Sequence, residues 1–70
     1  MQTRIKKVAS RIKSNRMEAG LTQQQLADFA GVDRKTINRI ENGHFSPNIE
    51  TLLRISVAFG VKPESLLAGV

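Results

Sequence analysis

The sequence predicts an all-α fold, a compact bundle of five short helices. Apolar residues recur at three- and four-residue intervals, and no alternating run suits a strand. Glycine, threonine, aspartate and asparagine punctuate that pattern at helix-length intervals. The segments between are only a few residues long, which favours a bundle over an extended coiled coil.

The first helix is expected from about Arg4 to Ala19. Ile5, Val8, Ala9, Ile12 and Ala19 fall on one face, and Gly20 ends it with a left-handed cap. The second opens at Thr22, which forms a capping box with Gln25. Leu26, Ala27 and Ala30 give it a core side, and Gly31 stops it. The third starts at the cap residue Asp33 and runs to about Asn42, closed by Gly43. After a loop through His44, Phe45, Ser46 and Pro47, Asn48 caps a fourth helix over about Ile49 to Phe59. Its core residues are Leu52, Ile55, Ser56 and Phe59, and Gly60 ends it. Pro63 occupies the first position of a short fifth helix that carries Leu66 and Leu67.

Composition narrows the function. The 70 residues hold one domain at most. A chain of this size buries about 60% of its unfolded surface, enough for one core but not for a deep cleft. There is no cysteine, so disulfides and thiolate metal sites are excluded and a reducing cytoplasmic location is expected. No apolar run approaches the roughly 20 residues of a membrane span. Eleven Lys and Arg stand against six Asp and Glu, a net charge of +5 that favours a polyanionic partner, nucleic acid before membrane.

The second and third predicted helices meet at Gly31 and Val32 in a helix-turn-helix pattern spanning about 22–42. Glycine permits the positive φ of a sharp turn. Ala27 is small enough for the helices to cross closely, Val32 fills the corner, and Ile37 and Ile40 anchor the third helix inward. The opposite face then carries Lys35, Asn38, Arg39 and Asn42, with Arg34 at its edge. Arg and Lys donate to O6 and N7 of guanine, and Asn pairs with N6 and N7 of adenine, so this face suits the major groove.

The string LTQQQLADFAGVDRKTINRIENG, Leu21 to Gly43, resembles the phage lambda-repressor/Cro family of helix-turn-helix domains, also called xenobiotic-response-element-type regulators. Arg16, then Pro47 with Thr51-Leu52-Leu53, and Ile55, Ala58, Phe59, Gly60 and Val61 extend the likeness over about residues 11–68. The resemblance implies a lambda-repressor-like bundle that binds double-stranded DNA and regulates transcription. It implies base reading by Arg34, Lys35, Asn38 and Arg39. It also implies phosphate contacts at Thr22 and Gln23, where a helix N-terminus suits an anion, and in the loop at Asn42, His44 and Ser46. Asp33 departs from many relatives as an acid beside this surface and is read as a cap. His44 and Phe45 replace more usual basic or small polar loop residues.

Arg16 lies on the apolar face of the first helix, where a lone guanidinium is costly to bury. Glu41 sits on the inward edge of the third helix, and an Arg16–Glu41 ion pair is expected. Arg4, Lys6, Lys7, Arg11, Lys13 and Arg16 form a basic N-terminal cluster, read first as a solvated face and second as supplementary phosphate contacts. Membrane binding is set aside, because the apolar face is needed for the core and has no Trp.

No enzyme is expected and no catalytic residue is assigned. There is no phosphate-binding glycine loop, no metal-ligand cluster and no cofactor motif, and His44 with Ser46 reads as turn chemistry. A repressor that binds a pseudo-palindromic operator as a homodimer accounts best for the pattern. The alternative is a protein-interaction module on the same fold, such as an antitoxin that also represses its own operon; a third is a basic protein binding nucleic acid without sequence preference. The cationic third helix favours DNA over protein. No small-molecule effector is indicated, and Val61, Leu66, Leu67 and Val70 are the expected dimer surface.

Overall fold

A computed structural model describes residues 2–44 and 46–69. Among these the chain forms α1 (Gln2–Glu18), α2 (Gln23–Ala30), α3 (Arg34–Glu41), α4 (Ile49–Phe59) and α5 (Pro63–Leu67), with no strand. Phe45 and Val70, named above for the loop and the C-terminal apolar stretch, lie outside the described residues.

Local chemistry sets the helix starts. Thr22 Oγ1 accepts from the Gln25 N–H at 3.0 Å, while Gln25 Oε1 accepts from the Thr22 N–H at 2.9 Å, completing the capping box. Asp33 Oδ1 caps α3 through the Thr36 N–H, and Asn48 Oδ1 caps α4 through the Thr51 N–H, both at 2.8 Å. Caps of this kind typically stabilise a helix by about 1 kcal/mol each. α3 stops one residue short of the sequence expectation, with Asn42 as its C-cap, because Gly43 turns left-handed next to it.

The core gathers one stripe from every helix. Val8 and Ile12 come from α1, Leu26 and Ala27 from α2, Ile37 and Ile40 from α3, Leu52 and Ile55 from α4, and Leu66 from α5. Burying an aliphatic side chain of this kind contributes roughly 1.5–3 kcal/mol. Ser56 is also buried, and its hydroxyl is satisfied by donating to the Leu53 carbonyl at 2.7 Å, one turn back along α4. Val32 and Phe59 are partly buried against this core.

Two expectations change. Ala19 is exposed, because α1 ends at Glu18 and the turn at Gly20 carries the chain away. Of the residues expected on a C-terminal dimer surface, Leu66 is fully buried in its own core and Val61 packs against that core, leaving Leu67 as the exposed member among the described residues. Among the described residues, Met17 on α1 and Phe29 on α2 are exposed singly, whereas α4 exposes three large apolar side chains, Ile49, Leu53 and Val57, which repeat every fourth residue along one side.

The basic N-terminal cluster divides in the fold. Arg16 turns inward, and Arg11 donates to the Leu66 carbonyl of α5 at 3.5 Å. Arg4, Lys6, Lys7 and Lys13 are exposed.

Candidate nucleic-acid interface

α2 and α3 pack against each other across a three-residue turn, Gly31 to Asp33. Gly31 has φ +73°, and its N–H donates to the Ala27 carbonyl as the Val32 N–H also does, so the chain closes α2 and reverses within two residues. Val32 is half-buried at this corner. Ile37 and Ile40 are sealed in the core, 0% and 1% exposed, and this fixes the rotation of α3 about its own axis.

With that rotation fixed, Arg34, Lys35, Asn38, Arg39 and Asn42 are all exposed. α3 has no acid in its first turn and carries Arg39 in its last, where Glu41 is turned into the core. Thr22 and Gln23 stand at the N-terminus of α2, where the helix dipole is positive and the first turn carries no acid. His44 and Ser46 are exposed after α3. Asp33 is an exposed carboxylate at the N-terminus of α3. Its hydrogen bonds from Thr36, with the charges of Lys35 and Arg39, hold it below the usual carboxylate range.

Behind the ridge lies an ion pair. Arg16 Nε is 2.7 Å from Glu41 Oε2, and Arg16 Nη2 donates to Glu41 Oε1 at 3.2 Å, a two-point grip. Arg16 Nη1 donates to the Leu21 carbonyl at 2.8 Å. One guanidinium thus joins α1, the segment leading into α2, and the end of α3.

Sequence reasoning missed what extends outward from that pair. Gln23 Nε2 donates to Glu41 Oε1 at 3.1 Å, Asn38 Nδ2 approaches Gln23 Oε1 at 3.5 Å, and Asn42 Nδ2 donates to Asn38 Oδ1 at 3.0 Å. The Asn38–Asn42 link was available as an i,i+4 pair on one helix. The links between α2 and α3 were not, because no local periodicity relates residues on two crossing helices. Also unforeseen is Lys6, whose side chain lies against Gly43 at the exit of α3. Among the described residues no cavity opens, and no three acidic or imidazole side chains gather as metal ligands.

Residues 12–66 match the helix-turn-helix family. Over 49 residues the chain is 45% identical to an HTH-type transcriptional regulator of Methanothermobacter thermautotrophicus, covering 70% of this chain and 71% of that protein. Over 59 residues it is 37% identical to the SPbeta prophage-derived HTH-type transcriptional regulator YonR of Bacillus subtilis. That match covers 84% of this chain but 55% of the relative, so the chain spans about half the length of that regulator. Among solved structures, the P22 c2 repressor in complex with a synthetic operator superposes with a TM-score of 0.83 at 32% identity, over 90% of this chain and 96% of that one.

Proposed function

The chain belongs to the helix-turn-helix family, and we propose that it is a sequence-specific, DNA-binding transcriptional repressor that reads its operator with α3. The observation that carries this reading is the burial of Ile37 and Ile40, which turns a short cationic ridge outward. In this reading α3 enters the major groove. Arg34, Lys35 and Arg39 donate to guanine O6 and N7 or to adjacent phosphates, and Asn38 pairs with adenine. Thr22 and Gln23 at the α2 N-terminus, with Asn42, His44 and Ser46 beyond α3, hold the flanking phosphates and set the register. Lys6, beside Gly43, adds a cation to that second flank. The Arg16–Glu41 pair holds α3 at a fixed angle to α1, so the ridge is presented as a rigid unit.

The protein acts in the cytoplasm as a homodimer on a pseudo-palindromic operator. Two-fold symmetry would place two α3 helices in successive major grooves about 34 Å apart. The exposed Ile49, Leu53 and Val57 of α4 supply the apolar surface for a second copy in place of the C-terminal residues. A dimer seated on the operator represses by excluding polymerase.

Selection of bound sequences from a random DNA library tests the reading, run with wild type, Lys35→Ala and Arg39→Ala. Each substitution is expected to relax one or two positions and to weaken binding by about 1–3 kcal/mol. Five to eight phosphate contacts would give log K a slope of roughly −4 to −7 against log salt. Unchanged motifs in both variants, or a flat salt dependence, would overturn it.

A further inference from the structure

The bonds that run from Glu41 to the surface all point the same way. An ionised carboxylate can only accept, so Gln23 must turn its NH2 toward Glu41 Oε1, which it meets at 3.1 Å. That leaves Gln23 Oε1 facing Asn38, and Asn38 therefore turns its NH2 inward, at 3.5 Å. Asn38 Oδ1 in turn accepts from Asn42 Nδ2 at 3.0 Å. An amide on a solvated helix can exchange its nitrogen and oxygen ends at little cost, since the two are nearly the same size. Here the exchange at any one amide would set donor against donor or acceptor against acceptor. The carboxylate at the inner end of these bonds is buried, its side chain 2% exposed, and gripped at two points by Arg16.

We propose that Gln23 is a specificity-determining positioning residue, which transmits the polarity of the buried Arg16–Glu41 pair to Asn38 and so sets which base Asn38 accepts. The inference rests on the reading of α3 as the base-reading helix. After its two internal bonds, Asn38 still has one N–H and one carbonyl lone pair. In the major groove adenine offers N7 as acceptor beside N6 as donor, and thymine at the same place offers a methyl group beside the O4 acceptor. An amide held in one orientation matches adenine and sets its oxygen against thymine O4. An amide free to turn over can donate to O4 instead. The anchored amide therefore discriminates adenine from thymine at the facing base pair, and a released one tolerates both.

Gln23→Met separates this role from the others. Methionine is close to glutamine in size, leaves Arg16 and Glu41 in place, and cannot relay a hydrogen bond. The experiment measures binding of the full chain to operator duplexes varied at each position, for wild type, Asn38→Ala and Gln23→Met, with thermal melting of each protein as the check on folding. Asn38→Ala identifies the base pair that Asn38 faces, where the wild type is expected to prefer adenine by about tenfold or more. Gln23→Met is expected to lower that preference to within about threefold at that pair alone. Loss of the phosphate contact assigned to Gln23 adds an even weakening on all duplexes and by itself leaves the preference intact, so the two roles are read separately. If Asn38→Ala relaxes a position while Gln23→Met keeps the full preference there, the relay is refuted and base reading by α3 stands. If Asn38→Ala relaxes no position, or the wild type shows no sequence preference, the relay falls together with the reading it rests on.

Discussion

α3 and α4 both line the core, yet their outer sides differ in chemistry. α3 places Ile37 and Ile40 inward and shows solvent Arg34, Lys35, Asn38 and Arg39. α4 places Leu52 and Ile55 inward and still shows solvent Ile49, Leu53 and Val57. Core packing explains the inner residues of both helices and neither outer set. A polar, cationic exterior is soluble without cover and attracts a polyanion. An apolar exterior gains free energy only when another surface removes it from water. The two outer faces therefore suit different surroundings, a polyanion on α3 and apolar cover on α4.

The largest expected contrast is between the inside of α3 and the outside of α4. Ile37→Ala should cost about 2–5 kcal/mol of folding stability, because the site is sealed and leaves a cavity. Leu53→Glu should change the monomer's stability by less than about 1 kcal/mol, yet abolish dimerisation measured by sedimentation. A dimer that survives Leu53→Glu would remove α4 from the proposed interface.

Next in size is the anchor behind α3. Arg16→Ala leaves Glu41 buried without its cation and should cost about 3 kcal/mol in a denaturant titration. Arg16→Met with Glu41→Leu should recover much of that loss, since apolar replacement of both partners removes the unpaired charge. No recovery in the double variant would mean that the hydrogen bond to the Leu21 carbonyl carries more of the effect than the pair.

The turn that orients α3 comes third. Gly31→Ala forces a left-handed residue to carry a Cβ, at about 1–2 kcal/mol. That Cβ would also fall 2.5 Å from Arg54 Nη1, which must move. Gly20→Ala shares the positive φ, +72°, but meets nothing within 4 Å, so its thermal shift reports the backbone strain alone. An equal shift at both positions would show that the Arg54 side chain moves aside freely.

The smallest effect concerns the cap of α3. Asp33 titrates below its ordinary value of 3.8 in the fold, so its contribution is complete above that pH. On acidification the unfolded chain takes up the proton first, and the stabilisation drains away as pH falls through the folded value. Asp33→Asn keeps a capping oxygen and should remove this component from the acid limb of a Tm-against-pH curve. An acid limb identical to wild type would assign the pH dependence to other carboxylates.

Much of the arrangement was legible from short-range rules. The caps at Thr22, Asp33 and Asn48 follow from side chains that reach their own backbone within three residues. The rotation of α3 follows from two isoleucines three positions apart. The Arg16–Glu41 pair was legible because a guanidinium on an apolar stripe demands a carboxylate, and Glu41 stood at the facing edge. The link from Gln23 to Glu41 and Asn38 was not, because in sequence Gln23 reads as a phosphate contact at a helix N-terminus and no local spacing ties it to residues on the next helix. The C-terminal apolar residues misled for a related reason: hydrophobicity says that a side chain needs cover and does not say whose.

By itself the sequence determined the five helices, their limits to within a residue or two at most ends, and the inward side of α3, because caps, glycines and periodicity act over one or two turns of chain. Only the tertiary structure decided that Leu66 serves its own core, that α4 is left with an uncovered apolar side, and that Gln23 spans the gap between a buried carboxylate and an exposed asparagine. Those outcomes depend on how the axes of separate helices cross, a geometry set by the summed packing of the whole core and written in no single segment.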